Sequence, residues 1–403
     1  MRALNRRGFE AYVVGGCVRD GLMGAEPKDW DVTTDAAPEE TADVFRGFKL
    51  LAHGLKYGTV TVIIGGAPVE VTTYRTDGAY SDGRRPDSVR FTRSLRDDIS
   101  RRDFTINAIA YAPGCGLVDF YGGRLDIEKK IIRCVGDARV RFGEDTLRIL
   151  RAMRFAARLS FEIEDGTAEA IHELRCGLAG VARERVSAEL AGALIGGAEG
   201  VYGIINGFYD VIRVVIPELR EGRNAQAALA VSSAPPELGV RLSLLLRGGG
   251  IEDETEACAI LSRLRFGNEV IDCVKTLIKY GGYAVGPDAA SIKMLMNKIG
   301  ASRFKSLLLS RRASAAALLR CGGGTIESPG ALDAIESTYN GILERGDCYT
   351  LKELNINGDD LKGLGFGAGK EIGSALWALL VLVIEGECPN ERGALTRAAQ
   401  TMI

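Results

Sequence analysis

The sequence predicts a small mixed α+β head followed by a long all-helical arm, and three observations carry that reading. Up to about residue 120, short β-rich runs alternate with short helical stretches. From about Ala138 to the end, Ala/Leu/Arg-rich segments are mostly helical in character. The breaks in this second part fall at Gly196-Gly197, Ser232 to Pro236, Gly248-Gly249-Gly250 and Gly322-Gly323-Gly324, with no fixed repeat and no low-complexity tract.

Within the head, the apolar run Tyr12-Val13-Val14 ends in Gly15-Gly16, and a helix-like stretch follows to Met23. Asp29-Trp30-Asp31-Val32-Thr33 alternates polar and apolar as a half-buried strand does, with Trp30 and Val32 expected to face the core. Gly58 to Ile64 and Val69 to Tyr74 are β-rich runs joined by Gly65-Gly66-Ala67-Pro68, a hairpin signal. Phe104 to Ala110 reads as helix with Asp103 as its N-cap, and Glu144-Asp145-Thr146-Leu147-Arg148 reads as the start of another. In the arm, Ala375 to Ile384 is an unbroken apolar run of ten residues, too short to cross a bilayer and expected to be a buried helix.

Composition narrows the function. The chain has 403 residues, enough for two to four domains at roughly 150 each. Its 51 basic and 53 acidic residues leave a net charge of −2, which excludes a chain basic throughout; a nucleic-acid surface must then be a local concentration of Arg. Such a concentration exists between Gly122 and Arg158, where ten Arg/Lys face five acids. With 46% apolar and 26% charged residues the chain is not disordered. Only His53 and His172 are present, which leaves little material for His-based metal sites. The nine cysteines are scattered, odd in number and without a C-x-x-C pair, so a disulfide framework or zinc site is not expected and a reducing cytoplasm is. No targeting peptide is expected ahead of Gly15.

The chemistry lies in the head. Asp29 and Asp31, two apart on a strand, point to one face. Carboxylates so close repel unless a cation sits between them, and hard oxygen ligands suit Mg²⁺. Glu70, on the returning strand of the hairpin between Val69 and Val71, can complete a set of three. Such a cluster suits two-metal nucleotidyl transfer; taken alone, Asp-x-Asp also fits a solvated strand edge. Upstream, Gly15-Gly16-Cys17-Val18-Arg19-Asp20 is a strand, a glycine turn and a helix start, which offers backbone N–H groups and the Arg19 fork to phosphate.

These stretches resemble the nucleotidyltransferases of the polymerase β superfamily, specifically the class II tRNA nucleotidyltransferases (CCA-adding enzymes) and their bacterial poly(A) polymerase relatives. The matching segments are Tyr12–Asp20, Lys28–Thr34, Gly54–Val62, Glu70–Asp77, Arg84–Phe91, Arg101–Ala108, Asp119–Arg124 and Glu144–Ala157, in family order. Beyond residue 161 the similarity is faint until Leu354–Leu376, which is similar to the family's C-terminal tail. The resemblance implies a polymerase β-like head at 1–137, a helical neck at 138–190, a helical body at 191–285 and a helical tail at 286–403, together elongated. It implies Asp29, Asp31 and Glu70 as catalytic residues, with Asp29 and Asp31 holding Mg²⁺. It also implies Gly15, Gly16, Arg19, Arg102, Asp145, Arg148, Arg151 and Arg154 at the nucleotide, with Arg102 facing the triphosphate.

One feature of the base-reading step follows from residue chemistry. Asp145 and Arg148, one turn apart, are expected on one helix face. A carboxylate accepts from an exocyclic amine while a guanidinium donates to an adjacent acceptor, an arrangement that cytosine and adenine share and that uracil and guanine lack. The pair then admits CTP and ATP without a template; the bland alternative is a cap at Asp145 paired with Arg148 on the surface. At about 100° per residue, Arg151 stays near that face, whereas Arg154 turns about half a turn from Asp145 toward a phosphate or structural role.

Among relatives, Asp77–Phe91 matches the loop of CCA-adding and A-adding enzymes, and His53-Gly54-x-x-Tyr57-Gly58-Thr59 separates the chain from poly(A) polymerases. An added His-Asp phosphohydrolase domain is not expected from two histidines. Leu364-Gly365-Phe366-Gly367-Ala368-Gly369-Lys370 opens the apolar helix and either meets a tRNA phosphate or links two helices. The expectation is template-independent addition of CCA to tRNA 3′ ends from CTP and ATP, with no membrane partner. An A-adding enzyme, a poly(A) polymerase and an inactive RNA-binding protein on this fold are the alternatives.

Overall fold

The computed structural model describes residues 1–78, 88–321 and 328–402, except for the side chains of residues 52 and 53. Most of the loop Asp77–Phe91, the glycines 322–324 and the His53 side chain therefore lie outside the described residues. The chain divides into two units, Met1–Arg220 with Arg263–Arg265, and Glu221–Ser262 with Phe266–Ile403.

The first unit is built on a seven-stranded mixed sheet of order β3-β4-β5-β2-β1-β8-β9. Its strands are β1 (Ala11–Val14), β2 (Trp30–Thr34), β3 (Lys49–Gly54), β4 (Thr59–Ile64), β5 (Ala67–Thr73), β8 (Ile109–Ala112) and β9 (Gly116–Asp119), with β6 (Arg75–Asp77) and β7 (Val89–Phe91) forming a separate ribbon. Helices α1 (Arg2–Arg6), α2 (Gly16–Leu22), α3 (Pro38–Val44), α4 (Leu95–Ser100) and α5 (Gly123–Lys129) accompany them. The β4–β5 hairpin forms where the glycine pair stands: Gly65 and Gly66 have φ of +59° and +85°, the two positive values a tight hairpin turn of this kind demands. Val13, Val32, Val60, Val62 and Val71 fill the core on one side of the sheet.

Apart from the short parallel pair β10 (Ile131–Ile132) and β11 (Glu162–Ile163), the rest of the unit is helical. It comprises α6 (Ala138–Glu144), α7 (Leu147–Leu159), α8 (Asp165–Leu174), α9 (Arg183–Leu194), α10 (Ala198–Gly207) and α11 (Tyr209–Val215). Helix α7 buries Ile149, Leu150, Met153, Ala156 and Ala157, a wide apolar stripe that packs it against α9 and α10. The second unit consists of α12 (Asn224–Ser232), α13 (Leu238–Gly248), α14 (Glu254–Arg263), α15 (Asn268–Tyr280), α16 (Ala289–Ile299), α17 (Ala301–Arg320), α18 (Pro329–Arg345), α19 (Gly358–Leu364), α20 (Lys370–Glu385) and α21 (Arg392–Gln400). The apolar run Ala375–Ile384 lies in α20 and buries Ala375, Leu379, Leu380, Val383 and Ile384. The glycine-rich stretch before it links α19 to α20. No helix among the described residues is long and apolar enough to cross a membrane.

Three local expectations need correction. Phe104–Ala110 is not a helix: a single 3-10 turn, Thr105–Asn107, leads into β8, because Ile109–Ala112 finds hydrogen-bonding partners on both β1 and β9. Trp30 does not enter the core. It stands 46% exposed at the start of β2, on the rim of an apolar pocket of about 520 Å³ lined also by Val13, Val18, Leu22, Tyr111 and Leu117. Asp145 is not within a helix: its backbone is extended (φ −142°, ψ 102°) between α6 and α7, so it does not share a helical face with Arg148.

Candidate active site

Parallel pairing of β2 with β5 sets Asp31 directly beside Glu70, flanked by the register pairs Trp30–Val69 and Val32–Val71. Neighbours across a strand pair point to the same face, so the two acids project together on the side of the sheet opposite Val32 and Val71. Asp29 stands one residue before β2, exposed, and adds its charge to both. Burial and the Asp29 charge push the Asp31 carboxyl above its ordinary value, while Arg102 partly offsets them. Burial, then Asp31, then Asp29, push Glu70 upward as well. Among the described residues no set of three or more His, Cys, Asp and Glu side chains is gathered closely enough to hold a metal ion. Glu70 thus shares a face and a field with the aspartates without closing a three-ligand cage. The donor chemistry nonetheless fits a hard divalent cation: every donor is a carboxylate oxygen, and a cation would offset both the burial and the mutual repulsion that raise the Asp31 and Glu70 pKa values.

The glycine turn meets these acids from the neighbouring strand. Gly15 has φ +82° and ψ −137°, a conformation open almost only to glycine. A Cβ there would lie 3.1 Å from Arg102 Nη1 and 3.7 Å from Asp31 Oδ2. The bare Gly15 backbone, Arg102 and Asp31 therefore converge at one point. Gly16 opens α2, where a Cβ would make only ordinary contact, 3.6 Å from Arg19 Nη2. Arg102 Nε is buried with no hydrogen-bond partner among the described residues. Burial pulls the Arg102 pKa down, and Asp98 is the first of the charges that oppose that.

Arg19 does not offer a free fork to phosphate. It is 5% exposed; Nε and Nη2 donate to Asp20 Oδ1 at 2.9 and 2.6 Å, and Nη1 donates to Asn107 Oδ1 at 2.6 Å. Asn107 in turn donates to Asp103 Oδ1 (3.2 Å), whose other oxygen accepts from Arg151 Nε and Nη2 at 2.9 and 2.7 Å. Burial pushes Asp103 upward, but Arg151 and the hydrogen bonds from Arg151, Asn107 and the Phe104 N–H outweigh it and hold the carboxyl below its ordinary range. Arg154 pairs with Glu189 of α9 and lies over the Phe155 ring at 4.4 Å, a structural post and not a free cation.

Asp145 and Arg148 are both nearly buried, at 8% and 9% exposed, and each has side-chain partners of its own. Asp145 Oδ1 accepts from Leu147 N at 3.0 Å, capping the start of α7, and Oδ2 accepts from Arg185 of α9 at 2.7 Å. Arg148 pairs with Glu144 and donates to the carbonyls of Arg141 and Arg101 at 3.1 and 3.4 Å. Arg185, Glu144, Glu189, Asn107 and Asp98 are site-building residues that the sequence reading missed. Asp98, three and four residues before Arg101 and Arg102, and Glu144, four before Arg148, carried a legible spacing signal.

A carboxylate face, a glycine turn against it and a guanidinium between them define a nucleotidyltransferase head. Residues 11–133 match the family model of the poly A polymerase head domain, and residues 328–399 match that of tRNA nucleotidyltransferase domain 2. The CCA-adding enzyme of Limosilactobacillus fermentum is 33% identical over 99% of this chain and 95% of its own length; that of Geobacillus stearothermophilus is 34% identical over 97% and 93%. The crystal structure of the Bacillus stearothermophilus CCA-adding enzyme in complex with CTP superimposes with a TM-score of 0.79 at 30% identity, covering 100% of this chain and 95% of that one. This chain belongs to the CCA-adding enzymes, the class II tRNA nucleotidyltransferases. Enzymes of this kind work with a divalent metal.

Proposed function

We propose that this protein adds C, C and A in turn to tRNA 3′ ends from CTP and ATP, without a nucleic-acid template, using Mg²⁺, in the cytoplasm. The observation that carries the reading is the registered Asp31–Glu70 pair with Gly15 and Arg102 packed against Asp31. In it Asp29 and Asp31 hold the divalent ion, and Glu70 completes the negative field on their face. The chemistry such ions supply when bound is charge neutralisation on the polyphosphate and a lowered pKa at the attacking 3′-hydroxyl. The bare Gly15–Gly16 backbone admits the polyphosphate, and Arg102 donates to it. Asp145, held by Arg185, accepts from the amino group of cytosine or adenine. Arg148 exchanges Glu144 for the adjacent acceptor on the base. Arg151 borders the site through Asp103, while Arg19 and Arg154 brace it. The finer division into a head at 1–137, a neck at 138–190, a body at 191–285 and a tail at 286–403 belongs to the same proposal.

Purified protein incubated with tRNA ending at the discriminator base, and with each nucleoside triphosphate singly and in combination, tests this. The expected products are two C residues from CTP alone and CCA from CTP plus ATP. Addition of A alone, and only after an existing CC, would make the protein an A-adding enzyme; long A tracts on arbitrary RNA would make it a poly(A) polymerase.

A further inference from the structure

Asp98 has no assigned part in binding the nucleotide, yet it is fully buried. Its Oδ2 accepts from Thr33 Oγ1 at 2.9 Å, and Thr33 follows Asp31 by two residues on β2. Its Oδ1 accepts from Arg101 Nε and Nη2 at 2.9 and 2.8 Å and from the Arg75 N–H at 3.3 Å. Arg102 Nη2 stands 3.8 Å from Oδ2. A wholly buried carboxylate is tolerated only where donors and cations surround it. Here those groups come from the catalytic strand on one side and from the Arg101–Arg102 pair on the other.

The consequence falls on Arg102. Its Nη1 abuts Gly15 beside Asp31, Nη2 faces Asp98, and Nε has no partner among the described residues. Asp31 is itself expected to hold a cation, so it cannot be the lasting counter-charge of this guanidinium. Asp98 can, because it is fully buried and is not one of the acids assigned to the ion. We infer that Asp98 is the positioning residue of the polyphosphate site: it anchors Arg102 against β2 through Thr33, so that the Nη1 edge beside Gly15 and Asp31 is held for the nucleotide. The inference rests on the reading of the site given above and adds to it a residue that never touches the substrate. A residue acting this way affects every nucleoside triphosphate alike, since all share the polyphosphate, and leaves base choice to Asp145 and Arg148.

The test is a double-mutant cycle on the full chain, measuring CMP and AMP incorporation into tRNA. Asp98→Asn should raise KM for CTP and ATP by the same factor, about tenfold, weaken pyrophosphate inhibition in parallel, and leave the rejection of UTP unchanged. In an Arg102→Ala background Asp98→Asn should add less than twofold, because the residue it positions is gone. A full tenfold effect in that background, an unchanged KM in the single variant, or a loss confined to one base would overturn the inference. Should Asp98→Asn fail to fold, Thr33→Val takes its place: a smaller rise in KM, equal for both nucleotides and absent in the Arg102→Ala background, supports the assignment, and no rise overturns it. A wild-type chain that incorporates neither nucleotide would instead overturn the underlying reading of the site.

Discussion

Replacing Gly15 by alanine tests the convergence at the centre of the site. At φ +82° and ψ −137° an L side chain is strained by about 1–3 kcal/mol. For a unit of 150–250 residues that lowers the unfolding midpoint by roughly 2–4 °C per kcal/mol, so a fall of about 2–12 °C is expected. The added methyl also meets Arg102 Nη1 at 3.1 Å, and the guanidinium must yield by a few tenths of an ångström. Displacements approaching 1 Å in a catalytic constellation cost roughly a hundredfold, which places this one near tenfold in kcat/KM, equal for CTP and ATP. Gly16→Ala supplies the control: its Cβ meets only Arg19 Nη2, at an ordinary 3.6 Å, and alanine favours the helix it starts. Thermal unfolding and single-nucleotide incorporation on both variants decide the matter. If Gly15→Ala matches Gly16→Ala in stability and activity, the account of Gly15 as the bare wall between Arg102 and Asp31 is wrong.

Other outcomes follow from the same geometry. Asp145→Ala should raise misincorporation of UMP and GMP by about tenfold to a hundredfold, since each unmatched polar group is worth about 1–3 kcal/mol; Arg185→Ala should move selectivity the same way by a smaller factor, both read by competition between CTP and UTP. Chelation by EDTA should abolish incorporation. Because Asp31 and Glu70 carry raised pKa values, protons compete with the ion, so the divalent-ion concentration for half-maximal rate should rise as pH is lowered toward those values. Asp103 is held below its ordinary value of 3.8, so the stability it contributes is complete above that pH and is lost as pH falls through the lower folded value. Asp103→Asn should flatten the acid limb of the unfolding midpoint below about pH 4 and destabilise at pH 7 by about 1–3 kcal/mol, since Arg151 loses a buried acceptor but keeps Glu189 at 3.6 Å.

Much of the head was legible because its signals are local. The Gly65-Gly66 turn and the alternation of Asp29–Thr33 yield the hairpin and the strand, and the two-residue period puts Asp31 on the polar face. The parallel pairing of β2 with β5 was not legible, although it alone sets Asp31 beside Glu70. Distant pairing also explains the misread helix at Phe104–Ala110: Ile109–Ala112 has no strong local preference, and β1, about a hundred residues earlier, supplies the hydrogen bonds that decide it. The least legible feature was the choice of ion partner. Arg19, Asp145 and Arg148 were each expected to face the nucleotide or one another, yet Asp20 (with the neutral Asn107), Arg185 and Glu144 hold them. Spacing fixes which face a charged residue shares; it does not fix which of several opposite charges lies within 3 Å after folding.

That choice has a structural logic centred on Phe155. Arg19, Arg151 and Arg154 stand over its ring at 5.3, 5.6 and 4.4 Å. Three guanidinium groups around one aromatic ring repel unless each has its own acid, and each does: Asp20 for Arg19, Asp103 for Arg151, Glu189 for Arg154. Asn107 then joins Arg19 to Asp103, so a continuous chain of hydrogen bonds runs from α2 at the glycine turn to α7, and an ion pair from Arg151 to Glu189 at 3.6 Å carries it on to α9. The same two helices carry Arg148 and Arg185, and Asp145 caps the first of them. The arginines that the family pattern marks at the nucleotide thus divide their work. Arg102 sets Nη1 beside Gly15 and Asp31, whereas Arg19, Arg151 and Arg154 spend their charge inside the protein, locking the turn beside the carboxylates to the helices of the proposed base site. An enzyme that selects a base with side chains in place of a template needs that rigidity, because a template's register has to be reproduced by fixed distances between the polyphosphate site and the base site.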